Sequence, residues 1–209
     1  MSVKKYSVLT IGLYVLIFLS PLLFATFHAQ AWGVIISYLL GAILMIAMYL
    51  KQTSFLSFEK KQPNWLLVIL LGVLGIFGSI ILQNIVIQIE VLFGQNPVSQ
   101  NTEGIVQNVL AQPLFFIAVM IGAPIMEEFV FRRAITGLLE HYMNVWLAIA
   151  ISSFLFALIH FDGHLLLYFS LGFFFSILYK TTGKIWTSIL THAGMNALVL
   201  IAQLVLTTS

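Results

Sequence analysis

The sequence predicts an all-α protein, a polytopic bundle of about seven transmembrane helices. Three observations carry this. The 209 residues are 61% hydrophobic and only 8% charged, where a soluble domain is about a quarter charged. The mean hydropathy is +1.06. And the apolar residues fall into runs near the ~20 residues that a bilayer-crossing helix needs.

Taken in order, the runs are Ser7 to Phe27, Ala31 to Leu50, Trp65 to Leu92, Pro113 to Phe131, Val145 to Ile159, Leu165 to Tyr179 and Ile185 to Leu206. The first follows Met1–Lys5 and ends near Ala29-Gln30-Ala31, which has the form of a signal-cleavage site. At 21 residues it is longer than the apolar core of a signal peptide, so it is expected to be a retained span. The fifth and sixth are short. The polar segment Gln95 to Gln112 is expected to be a surface loop or a short interfacial helix. Residues 1–112 then form N-terminal spans with a polar loop, and 113–209 a catalytic helical core, in one integrated membrane domain. Gly72, Gly75, Gly78 and Ser79 read as a close helix-packing stripe, and Tyr14, Trp32, Trp65 and Trp186 as interfacial anchors.

The basic residues divide cleanly. Lys4, Lys5, Lys51, Lys60, Lys61, Arg132, Arg133, Lys180 and Lys184 all fall at one end if seven spans alternate. The opposite end holds His28, Glu90, Glu103, Asp162 and His164. The positive-inside rule places the N-terminus in the cytoplasm of a multi-pass cell-membrane protein, and the C-terminus outside. A net charge of +2 gives no footprint for nucleic acid. The absence of cysteine excludes disulfides, thiolate metal sites and a cysteine nucleophile.

Against this apolar background, a few polar residues stand out, because ionisable groups inside a membrane are costly and functional by default. The fourth run contains Glu127 and Glu128, then Arg132. Glu128 and Arg132 are four apart and share a helix face, whereas Glu127 points about 100° away and needs a partner elsewhere. The fifth run ends in His160. The seventh carries His192 and Asn196, one turn apart, with Gly194 between. Buried polar groups need partners, so the economical arrangement is a single cavity among spans four to seven. Such a set has the parts for hydrolysing a peptide bond: a glutamate, alone or with a histidine, to take a proton from water, or a Glu and two His to hold zinc with an open position. Ser152 and Ser153 are weak alternatives as nucleophiles. Each residue taken alone also has a plain structural reading as an interhelical hydrogen-bonder or ion pair.

Glu127-Glu128-x-x-x-Arg132, Phe156-x-x-x-His160 and His192-x-x-x-Asn196, in that order and each in a span, resemble the three signature motifs of the CAAX-protease and bacteriocin-processing (CPBP, or Abi) family of intramembrane endopeptidases, related to the type II CAAX prenyl proteases. The resemblance covers Pro113 to the C-terminus. It implies that Glu127 activates water with the help of His160, that His192 and Asn196 stabilise the oxyanion, and that Glu128 and Arg132 form a supporting pair. A second assignment within the family makes Glu127, His160 and His192 zinc ligands. The substrate would be a peptide or membrane-anchored protein, in bacteriocin processing, self-immunity or CAAX-type maturation, reached from the cytoplasmic side. Two other functions fit the composition: a non-enzymatic membrane immunity or signalling partner, and a small transporter, against which stands the lack of repeated halves. By residue count His160 falls deeper than Glu127 and His192, which places it either in a mis-bounded helix or outside the site.

Overall fold

The computed structural model describes residues 1–25, 30–59 and 62–208. The cleavage-like Ala29, His28, Lys60 and Lys61 lie outside them. Among the described residues the chain is helical, without strands. Eight helices follow one another: α1 (Val3–Ala25), α2 (Gln30–Leu50), α3 (Trp65–Leu92), α4 (Gln100–Ala111), α5 (115–139), α6 (Val145–Leu158), α7 (Leu165–Thr182) and α8 (Ile185–Thr208).

Five of these, α1, α2, α3, α7 and α8, are long and apolar enough to cross a membrane. α6, with 14 residues, is a short apolar helix, and α5 is long enough but carries four charges. With these two the bundle has seven spans. The polar segment 95–112 contains the eighth helix, α4, whose Val106 and Val109 pack on Ile35, Phe115 and Leu200.

Local sequence fixes the helix starts. Asn64, Ser99 and Asn144 each accept a hydrogen bond from a backbone N–H three residues on, at 3.2, 3.1 and 3.0 Å, as good N-caps do. α7 ends at Gly183, whose φ of 69° suits a residue without Cβ. The glycine stripe of α3 performs as expected. A Cβ on Gly75 would collide with Thr191 and Leu178, and Thr191 Oγ1 donates to the Gly72 carbonyl at 3.0 Å, locking α3 to α8.

α5 departs from a simple span. It alternates α and π turns, with π geometry over Ala118–Gly122 and Glu128–Ile135. Pro124 has no N–H to give to the preceding turn, and Phe131's carbonyl, which accepts the Thr136 backbone N–H five residues on, also accepts the hydroxyls of Thr136 (2.9 Å) and Ser152 (2.5 Å). Wide turns of this kind concentrate at functional sites. The helix also runs on to residue 139 rather than stopping at Phe131. Arg132 and Arg133 are therefore not end-of-span charges at the surface; both are buried.

One end of the bundle gathers the N-terminus, residues 51–59, the end of α5 and the α7–α8 turn. The Met1 amino group reaches Thr53 Oγ1 at 3.0 Å, Ser57 N–H reaches Glu140 at 3.0 Å, and Tyr179 donates to Glu59 at 2.6 Å. Lys4, Lys5, Lys51, Lys180 and Lys184 belong to the segments that meet there. The other end gathers Glu90, Ser99, Asp162 and His164, where Ser99 donates to Asp162 at 2.6 Å and His164 Nδ1 lies 2.6 Å from Glu90.

Candidate active site

The middle of α5 supplies the carboxylates. Glu127 is twelve residues from either end of that helix, so it sits at mid-depth and not toward the basic end. Glu128 is fully buried, with Arg132 Nε 3.3 Å from its Oε2. The Arg132 guanidinium also lies over the rings of Phe156 (4.1 Å) and Phe175 (5.4 Å). Coulomb attraction and cation–π contact thus hold this cation.

α8 delivers His192 between the two glutamates. Its Nδ1 is 2.9 Å from Glu128 Oε1, and its Nε2 is 3.6 Å from Glu127 Oε2. The first is a hydrogen bond in which Nδ1–H donates, because a carboxylate accepts. The second exceeds hydrogen-bond length, so Glu127 and His192 Nε2 face each other without being joined. Phe175 stacks on the imidazole, centroids 4.7 Å apart. Gly194 lets α8 approach α3 closely, since a Cβ there would strike Ile76.

His160 follows the last turn of α6. Its Nδ1 lies 2.8 Å from the Phe156 carbonyl; a carbonyl only accepts, so Nδ1 carries the proton and Nε2 is the base. Its ring lies on Tyr168, centroids 3.7 Å apart at 18°, and Tyr168's hydroxyl donates to Asp162 at 2.9 Å.

Glu127, His160, His192 and Asn196 all line one cavity of about 890 Å³. The helices converge despite their unequal residue counts because Glu127 is deeper in α5 than a helix ending at Phe131 would put it. The lining extends beyond spans four to seven to Tyr14 of α1, Tyr38 of α2 and Gln83 of α3. Tyr14 is therefore a wall residue here and not an interfacial anchor, and Trp186 packs on Tyr49 and Phe129. Ser152 is committed to the Phe131 carbonyl, and Ser153 is buried; neither lines the cavity.

From Glu127 the cavity runs toward α4. Its exposed lining residues, among them Gln100, Glu103, Gln107 and Gln203, lie at the end opposite the lysines. This corrects the expectation of access from the lysine side. That expectation rested on the charge-based topology, which puts the lysine-bearing end in the cytoplasm.

Among the described residues no three His, Asp or Glu side chains gather closely enough to hold a metal ion. Nδ1 of His160 and of His192 is engaged, which leaves Nε2 of each free, the one nitrogen that a metal-binding histidine offers.

Comparison with known proteins follows the same residues. The family model for Type II CAAX prenyl endopeptidase Rce1-like proteins matches residues 109–198, which include all seven motif residues. The chain is 37% identical over 181 residues to YdiL of Bacillus subtilis, a candidate membrane peptidase, covering 85% of this chain and 73% of that one. It is 31% identical over 173 residues to the membrane-embedded CAAX protease MroQ of Staphylococcus aureus, covering 78% and 68%. The chain belongs to the CPBP family. It is thus a multi-pass membrane protein of a protease family. No solved structure matches it significantly.

Sequence reasoning missed Tyr168, the residue stacked on His160, and two polar pairs at the α4 end of the bundle. Tyr168 had no signal in a run rich in aromatics. The Glu90–His164 and Ser99–Asp162 pairs had one, since unpaired acidic and imidazole groups at helix ends look for each other across loops.

Proposed function

We propose that the protein is an intramembrane endopeptidase in which Glu127 activates the attacking water. The observation that carries this is the placement of Glu127, His160, His192 and Asn196, from three helices, on one cavity inside the bundle. In this reading the Glu127 carboxylate takes a proton from water as the water oxygen attacks the scissile carbonyl carbon. His160 Nε2 accepts a hydrogen bond from the same water and orients it. The carbonyl oxygen becomes an oxyanion, which receives hydrogen bonds from the Asn196 amide and, in its doubly protonated form, from His192 Nε2. Glu127 then gives its proton to the departing nitrogen, and the C–N bond breaks. Glu128 and Arg132 touch no reacting atom; they orient His192.

The test is reconstitution of the purified protein in nanodiscs with a library of quenched peptides. Cleavage by the native protein, abolished in Glu127→Gln at unchanged melting temperature, is expected. Equal cleavage by both would overturn the assignment. Zinc content of the same samples decides the other assignment. Stoichiometric zinc, lost in His192→Ala, would make Glu127, His160 and His192 ligands.

The positive-inside rule supports an orientation with the lysine-bearing end in the cytoplasm. The cavity mouth beside α4 then faces outward, which favours exported or membrane-anchored peptides as substrates, as in peptide maturation or bacteriocin processing.

A further inference from the structure

Among the described residues no side chain hydrogen-bonds the carboxylate of Glu127; His192 Nε2 stands off at 3.6 Å. A carboxylate inside an apolar bundle needs donors. Two hydroxyls come toward it from the N-terminal spans. Tyr14 is the middle residue of α1 and Tyr38 lies near the middle of α2, as Glu127 is the middle residue of α5. Both are packed on α5. The Tyr14 ring meets Phe131 edge-on, centroids 6.0 Å apart, and Gly122 admits α2 so closely that a Cβ there would lie 3.2 Å from Tyr38 Cβ. Among the described residues neither hydroxyl bonds another group, and Glu127 is the charge that acts on each most strongly.

Tyr14, Tyr38 and Glu127 also border one small recess beside the main cavity. Its volume is about 10 Å³, and the rest of its wall is Ile17, Phe18, Ala123 and Met126. That is room for a single water. Polar groups that converge on one space without touching are joined through water. A water here accepts from both hydroxyls and donates to the carboxylate, three hydrogen bonds in all, the usual number for a buried water.

We propose that Tyr14 and Tyr38 hold one water against Glu127, and that this water, distinct from the one that attacks, fixes the carboxylate for catalysis. One Glu127 oxygen is tied to the held water, and the other stays free to take the proton of the attacking water beside His160. Tyr14 and Tyr38 are thus positioning residues that act through Glu127. Both lie outside the residues 109–198 that the family model matches, so the N-terminal spans take part in the site. This rests on the endopeptidase reading above and adds two residues to it.

The test uses the full chain in nanodiscs with a quenched peptide that the native protein cleaves. Tyr14→Phe and Tyr38→Phe keep the ring and remove the hydroxyl. Each is expected to lower kcat about tenfold, the scale of one hydrogen bond to a charged group, with KM and melting temperature nearly unchanged. Because the two hydroxyls share one water, the double variant should also lose about tenfold and not the product of the single losses. Full activity in both single variants, losses that multiply in the double variant, or losses that track a fall in melting temperature would overturn the proposal and leave the endopeptidase reading intact. Native cleavage no greater than that of Glu127→Gln would instead sink the endopeptidase reading. A structure of the native protein at a resolution that shows ordered waters then decides the water by itself. One water within about 3.2 Å of both hydroxyls and of the Glu127 carboxylate is expected; no water there, or a direct bond from either tyrosine to Glu127, would overturn the proposal.

Discussion

The imidazole of His160 lies flat on the ring of Tyr168, their centroids 3.7 Å apart. Tyr168 is in turn fixed by its hydrogen bond to Asp162, and Asp162 by Ser99 at the head of α4. His160 stands beyond the last regular turn of α6, so its helix alone does not hold it. Stacking supplies the missing constraint. Tyr168→Leu is expected to lower kcat on a reporter peptide about 10- to 100-fold with KM nearly unchanged, the signature of misplacing a group near the reacting atoms. Tyr168→Phe keeps the ring and should retain most of the rate. Equal losses in both would show that the hydroxyl matters and the stack does not.

The Glu128–Arg132 pair predicts a stability effect separable from chemistry. Both side chains are buried, and removing one partner of a buried pair costs about 3–5 kcal/mol. Arg132→Gln should therefore lower the melting temperature in detergent sharply. The double change Glu128→Gln with Arg132→Gln should recover part of the loss. A single variant as stable as the native protein would argue that water reaches this pair.

A second buried pair ties the loop 51–59 to the same helix. Arg133 Nε lies 3.0 Å from Glu59 Oε1, with further bonds to Gln52 and the Ser54 carbonyl, and Tyr179 donates to Glu59 at 2.6 Å. Arg133→Ala is expected to reduce membrane abundance strongly. Tyr179→Phe, which leaves the ion pair in place, should cost about 1 kcal/mol. Quantitative immunoblotting with thermal melts of the two variants checks the ranking.

Close packing of α3 on α8 predicts a third response. Gly75→Val puts a branched side chain against Thr191 and Leu178. Overpacking of this kind costs about 1–3 kcal/mol, and here it also pushes His192 away from Glu127. Activity should fall more than stability does.

Orientation is directly measurable because the chain has no cysteine. A single cysteine at Gln100 should react in intact cells with a membrane-impermeant maleimide, and one at Gln52 only after lysis. The reverse pattern would turn the cavity toward the cytoplasm.

Much of this was legible in the sequence. The seven apolar runs follow from length and hydropathy, five of them long and apolar enough to stand as spans on that ground alone, and the motif residues stand out by their cost in a membrane. What was hidden had physical causes. Arg132 and Arg133 read as surface charges because two adjacent cations usually end a span, yet Glu128 and Glu59, one of them 74 residues away in the chain, neutralise them inside. The π turns of α5 are accompanied by a hydrogen bond from the Ser152 hydroxyl of α6 to the Phe131 carbonyl, a tertiary contact with no local pattern. The extra length of α5 shifted Glu127 to mid-depth, which brought His160 within reach of the site and moved the mouth to the α4 end.

The most direct test of the central claim compares peptides, by mass spectrometry, from cells making the native protein and cells making Glu127→Gln at matched membrane abundance. A defined cleavage product is expected with the native protein and not with the variant, its new terminus marking the bond cut. Identical peptide profiles, with the cellular effect of the protein retained in both, would contradict it and point to a non-enzymatic membrane partner.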